Sequence, residues 1–246
     1  MEDTQWRTHR LELDDQTLRE WDAEVLAADA NGIVLDRSAF YPGGGGQPPD
    51  HGVLLWGGVQ TRIVDARKGD DLYLVPADGD PLPTPGTSVR GALEDERRTA
   101  LMRTHSGLHV LCGVVFRDFG ALVTGGNMEP LSARMDFNLP DVPAGFREAV
   151  EAACNAEVAA GRRIDVRVLP RDEAFALPDI IRTATNLVPP EVRRTAARTW
   201  PRPARSAGSR SSRSRVRARA SAACASASPA EPVAVSRCFA GRLRRR

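Results

Sequence analysis

At residue 94 the hydrophobic period of the chain changes, and this change limits the fold more than any other feature of the sequence. Before it, short apolar stretches follow one another at close spacing: 22–28, 32–37, 53–56, 59–66, 71–76 and 89–92. Turn signals separate them, among them Asn31-Gly32, Gly57-Gly58, Lys68-Gly69-Asp70 and a proline-punctuated run at 81–86. Short strands at such spacing predict a small β-barrel or sandwich over residues 1–92. After it, 94–116 carries Leu101, Leu108, Val110, Leu111 and Val115 at helical spacing with no proline. Gly107 and Gly113 weaken that helix without forbidding it. A second amphipathic helix is expected at 146–161, with Ala149, Val150, Ala153 and Val158 on its apolar side and Gly161 as its stop. Residues 164–169 alternate like a half-buried strand, and 171–177 read as a short helix. Residues 93–192 are therefore expected to form an α+β domain.

A third kind of sequence begins after Pro189-Pro190. Residues 193–246 hold fifteen arginines against one acid, Glu231, whereas the remainder holds nineteen basic and thirty-one acidic side chains. The tail is mostly Arg, Ser, Ala and Pro, shows no apolar period, and is expected to be disordered. As a physical object it reads either as a solvated tail or as a nucleic-acid arm. Apolar residues make up 41% of the chain, enough for ordinary cores. The longest apolar runs, such as 110–116, fall far short of the roughly 18–20 residues that a membrane span needs, so no membrane partner is expected. Met1–Trp6 is polar and acidic, unlike a secretory signal. Cys112, Cys154, Cys224 and Cys238 form no C-x-x-C pair, which argues against a disulfide framework and for a reducing, cytoplasmic setting.

Two motifs could carry chemistry. In the sequence His105-Ser106-Gly107-Leu108-His109 the two imidazoles stand four residues apart, and i, i+4 residues share one face of a helix. Such a pair can reach one metal ion, zinc being the usual choice. No glutamate follows His105, so the general base of the H-E-x-x-H proteases is missing. Standing alone, two histidines four apart on a helix are more often surface or core residues. The second motif is the run Phe40-Tyr41-Pro42-Gly43-Gly44-Gly45-Gly46-Gln47-Pro48-Pro49-Asp50-His51-Gly52. Four successive glycines are entropically costly unless backbone adopts positive φ or approaches a ligand closely. A phosphate loop of the G-x-x-x-x-G-K-[ST] type would need a lysine within the run, which has none. The alternative is a flexible hairpin connection. His51 could be a ligand, although a single loop histidine is usually only a polar loop residue, and His9 is not expected to bind metal.

In this order the two motifs resemble the alanyl-tRNA editing family (AlaX), free-standing relatives of the editing domain of alanyl-tRNA synthetase. The resemblance extends through 133–137, Asn155 and 164–174, and covers roughly residues 20–190. It implies a small N-terminal β-barrel followed by an α+β editing domain of the threonyl/alanyl-tRNA synthetase type. It implies hydrolysis of the ester joining a wrong amino acid, serine or glycine, to tRNA(Ala). By the same resemblance His105 and His109 are ligands of one zinc ion, and Ser106 and Thr104 line the amino-acid site. Gly44, Gly45, Gly46 and Gln47 match the family's glycine motif near the tRNA end. No catalytic side chain is singled out, because water at the metal's open position would be the nucleophile. A site that hydrogen-bonds the serine hydroxyl disfavours alanine.

The chain departs from the family after this point. The family completes its zinc sphere with a downstream motif ending in histidine, and here no histidine follows His109. Read one frame over, the codons of residues 194–208 are compatible with Asp-Gly-Gly-Thr-His-Val-Ala-Ser-Thr-Arg-Glu-Ile-Gly-Arg, close to the missing segment. Residues 193–246 are therefore expected to be a frameshifted reading, with the zinc site of this chain incomplete. A second possibility is a non-catalytic tRNA- or RNA-binding protein. On the acidic body, RNA would have to meet a local basic patch such as Arg97, Arg98 and Arg103. The sequence does not address oligomeric state.

Overall fold

A computed structural model of the chain describes residues 7–161, 164–177, 182, 191–197 and 216–220. It divides between Met102 and Arg103 into two compact units. The first opens with β1 (His9–Arg10) and a single turn, α1 (Leu11–Asp14). There follow β2 (Glu20–Asp29), β3 (Gly32–Leu35), β4 (Arg37–Ser38), β5 (Gly52–Trp56), β6 (Val59–Lys68), β7 (Leu72–Pro76) and β8 (Ser88–Leu93). Six of these close a barrel in the order β2-β3-β7-β6-β5-β8, every pairing antiparallel. The expected barrel is thus present.

The barrel closes because alternate residues of each strand can be apolar. Val25, Ile33, Leu35, Leu54, Ile63, Leu72, Leu74 and Val89 point inward and are almost wholly buried, while Arg62 and Arg90 face out. Trp21 meets Phe40 edge to face at 5.3 Å between ring centres. Gly91 is required there, since a β-carbon on it would lie 2.4 Å from the Trp21 ring. The β5–β6 turn is Gly57-Gly58, with φ of 52° and 80°. Two positive φ values are what a tight two-residue hairpin demands. The β2–β3 turn falls one residue earlier than its Asn-Gly signal, on Ala30-Asn31, with the Asp29 carboxylate accepting the Asn31 N–H at 2.7 Å.

Helix α2 (Asp95–Phe119) begins in the first unit and ends in the second. Asp95 and Glu96 in its first turn and Arg117 in its last complement the helix dipole, and Gly120, at φ 65°, stops it. The second unit continues with β9 (Val123–Glu129), β10 (Ser132–Phe137), α3 (Phe146–Ala159), β11 (Ile164–Pro170) and α4 (Arg171–Ala176). Leu111, Val114 and Val115 of α2 pack with Phe137, Leu139, Phe146, Val150 and Cys154 into its core. Cys112 and Cys154 are free thiols.

Two pieces of the segment read from sequence as disordered are paired as strands. β12 (Glu191–Ala197) runs antiparallel to β11, and β13 (Val216–Ala220) runs antiparallel to β10. The remainder of 198–246 lies outside the described residues. Among the described residues no helix is long and apolar enough to cross a membrane.

Candidate functional site

The glycine run folds into a closed, hydrogen-bonded hairpin. Its neck is closed where the Asp50 N–H donates to the Tyr41 carbonyl at 3.1 Å and the Tyr41 N–H donates to the Asp50 carboxylate at 2.8 Å. Its tip is closed where Gly44 and Gln47 exchange backbone hydrogen bonds of 2.9 and 3.1 Å. Gly45 and Gly46, at φ 61° and 85°, form the two-residue turn between them, so side chains there would be strained. The Tyr41 hydroxyl donates to the Gly44 carbonyl at 3.0 Å. Gly44, Gly45 and Gly46 are exposed, and Gln47 is half-buried.

The first turn of α2 holds this loop in place. Arg98 is 4% exposed and donates to both Asp50 oxygens at 2.6–3.1 Å, to the Ala39 carbonyl at 2.6 Å and to the Gln16 carbonyl at 3.1 Å. Arg97 donates to the Pro49 carbonyl at 3.1 and 3.2 Å. This corrects the reading of Arg97, Arg98 and Arg103 as one basic patch: Arg98 is spent on a buried carboxylate, and Arg97 holds a loop carbonyl. Only Arg103 of the three is exposed.

Lys68, the chain's one lysine, ends β6 beside the loop. A β-carbon placed on Gly44 would lie 2.8 Å from its Nζ. Partial desolvation of the ammonium, with Arg10 nearby, lowers its pKa against the opposing pull of Glu12. Glu12 is itself buried and paired with Arg10, and desolvation raises its carboxyl above the usual range. His51 stands 3.9 Å from Glu94, and desolvation followed by the charge of Arg97 lowers its pKa. His9 pairs with Asp14 at 2.7 Å on the surface.

In the second unit, α2 places His105 and His109 on one face, their Nε2 atoms 3.0 Å apart and their rings stacked at 4.9 Å. Two Nε2 atoms bound to one tetrahedral zinc at 2.0–2.1 Å would stand about 3.3 Å apart, so small adjustments of χ angles suffice. Both residues are exposed, and desolvation by surrounding protein lowers the His105 pKa, favouring the neutral imidazole that a metal requires. Among the described residues no three His, Cys, Asp or Glu side chains are grouped to hold a metal ion. The described residues thus fit half of a zinc sphere.

Ser106 is exposed on α2. The Thr104 hydroxyl accepts the Leu131 N–H at 2.9 Å and so braces the β9–β10 turn, where Leu131 takes the positive φ of 59°. Sequence reading did not anticipate this use of Thr104, nor the roles of Asp50, Arg98 and Lys68. Charge alone misplaced Arg98; a lone acid closing a glycine run was the available signal for its partner.

The family model for class II (A) tRNA synthetases matches residues 3–97. The chain is 31% identical over 181 residues to the alanyl-tRNA editing protein AlaX-M of Saccharolobus solfataricus, covering 72% of this chain and 75% of that one. It is 37% identical over 173 residues to the alanine–tRNA ligase of Ignicoccus hospitalis and 35% over 174 residues to that of Pyrobaculum neutrophilum. Those matches take in 69% of this chain but only 19% of each ligase. By its likeness to AlaX-M the chain belongs to the alanyl-tRNA editing proteins of the AlaX type.

Proposed function

We propose that the protein edits tRNA(Ala) by hydrolysing the ester of a wrongly attached serine or glycine, with His105 and His109 as ligands of one zinc ion. The observation that carries the proposal is the imidazole pair itself, with Nε2 atoms 3.0 Å apart on α2 of a chain 31% identical to AlaX-M. A zinc ion with an open position supplies polarisation of the ester carbonyl and a lowered pKa for water. The protein's own part is binding and discrimination. Ser106, exposed beside His105, offers a hydroxyl to a seryl side chain that an alanyl methyl group cannot answer. The glycine turn, fixed at its neck by Asp50 and Arg98, presents bare backbone on which a nucleic-acid end can lie closely.

The sequence of residues 193–246 supports a frameshifted C-terminus and hence an impaired site. The test is deacylation of Ser-tRNA(Ala) beside Ala-tRNA(Ala), using this chain, a frame-restored version and a His105→Ala/His109→Ala variant, each with its zinc content measured. Serine-selective release that rises on frame restoration and disappears in the double variant is the expected result. RNA binding without zinc or hydrolysis in either frame makes the protein a binding module instead. Zinc binding undiminished in the double variant removes the histidines from the site, whereas His9→Ala and His51→Ala should leave zinc content unchanged. Resequencing around the codon of Val192 decides the frame.

A further inference from the structure

The first unit holds its cations in a particular way. Every arginine from Arg7 to Arg98 is engaged: eight form ion pairs with carboxylates, and Arg97 binds the Pro49 carbonyl. Lys68 is the exception. Among the described residues no carboxylate lies within ion-pair distance of it and no acceptor takes its protons. Its nearest acidic influence, Glu12, is already taken by Arg10. The ammonium lies against Gly44, and one residue on is the exposed turn where the amides of Gly45 and Gly46 have no partner among the described residues.

The geometry points to Lys68 and the exposed tip of the Gly44–Gln47 turn as a phosphate-binding subsite that takes a phosphodiester of an RNA strand. The identity of the ligand as RNA rests on the function proposed above; the anionic character of the ligand does not. An unneutralised ammonium beside a turn whose tip, Gly45-Gly46, carries no side chains suits a phosphate oxygen, with the Tyr41 hydroxyl the other polar group near Gly44. The charge of the whole molecule favours the same place. Outside residues 193–246 acids outnumber bases by twelve, so a polyanion is repelled except where a cation remains uncompensated. A lysine at Gly44 also explains the residue type at that position: a β-carbon would displace Nζ.

Because Lys68 is the one lysine, amine acylation reads this site almost alone, with the chain's N-terminal amine as internal reference. The probe is an uncharged RNA hairpin with a single-stranded 3′ tail, compared with inorganic phosphate, on the full chain. Saturating RNA should slow acylation of Lys68 severalfold relative to the reference amine, with phosphate doing so only at far higher concentration. Lys68→Ala should lower the slope of log affinity against log salt by about 0.7, the loss of one single-strand phosphate contact, and Lys68→Arg should restore it. Unchanged Lys68 acylation under RNA, no RNA binding by the parent chain, or identical salt slopes for parent and Lys68→Ala overturns the subsite. Equal protection by RNA and inorganic phosphate at matched phosphate concentration overturns its assignment to RNA. No step here needs ester hydrolysis: protection without deacylation would sink the proposed function alone, and deacylation without protection would sink this inference alone.

Discussion

Arg98→Ala should be among the most damaging single changes in the first unit. Arg98 and Asp50 are 4% and 1% exposed, and the guanidinium makes five hydrogen bonds to three partners. Its removal leaves the Asp50 carboxylate buried with only the Tyr41 and backbone contacts of the loop neck, and leaves the Ala39 and Gln16 carbonyls without that donor. Breaking a buried pair from one side costs about 3–5 kcal/mol, against about 0–1 kcal/mol for a surface pair. Urea unfolding followed by the fluorescence of Trp21 and Trp56, both belonging to the barrel, measures the loss. The Arg98→Ala/Asp50→Ala double variant should then lose less than the sum of the singles, because the second change removes the stranded charge. A single-variant loss below about 1 kcal/mol, or strict additivity in the double variant, would refute the claim that this pair pins the glycine loop.

Two further outcomes follow from ionisation. Hydrogen bonds from the Arg62 side chain and backbone N–H hold the Asp80 carboxyl down at about 2, below its ordinary 3.8. Its contribution to stability is therefore complete above pH 4 and is lost as pH falls from about 4 to 2, so acid titration of Arg62→Ala should show a shallower loss in that window; an unchanged profile counts against the pairing. Burial pushes the Cys154 thiol up to about 12, which keeps thiolate scarce. At pH 8 iodoacetamide should label half-buried Cys112 well before Cys154, as read by peptide mass spectrometry, and equal rates would contradict the packed core around α3.

Most of the barrel was legible because alternation along a strand and a turn between strands are both local properties. The expected stretches at 53–56, 59–66 and 71–76 coincide with β5, β6 and β7 to within two residues. The helices at 94–116 and 146–161 were legible for the same reason, as was the i, i+4 meeting of His105 and His109. The hairpin of β9 and β10 was not read as strands. Thr124, Gly125 and Gly126 break its alternation, and its turn uses Leu131 rather than a glycine at positive φ. Lys68 at Gly44 and Arg98 at Asp50 were hidden because each joins residues many positions apart, and only the closed sheet brings them together.

The way the barrel shuts also sets a timetable for synthesis. Its first and last strands are partners: Glu20 pairs with Ala92 and Trp21 with Gly91. No shorter nascent chain can complete the ring, and a pairing across roughly seventy residues makes the final step slow compared with hairpin formation. Once residue 93 has left the ribosome, however, every strand the ring requires is available. From the synthesis of residue 93 to that of residue 193 is a hundred residues, which at roughly 5–20 residues per second takes on the order of 5–20 s. The barrel can finish before translation reaches the arginine-rich codons, so the altered reading frame proposed beyond residue 192 would act on a polypeptide whose first domain has already had time to fold.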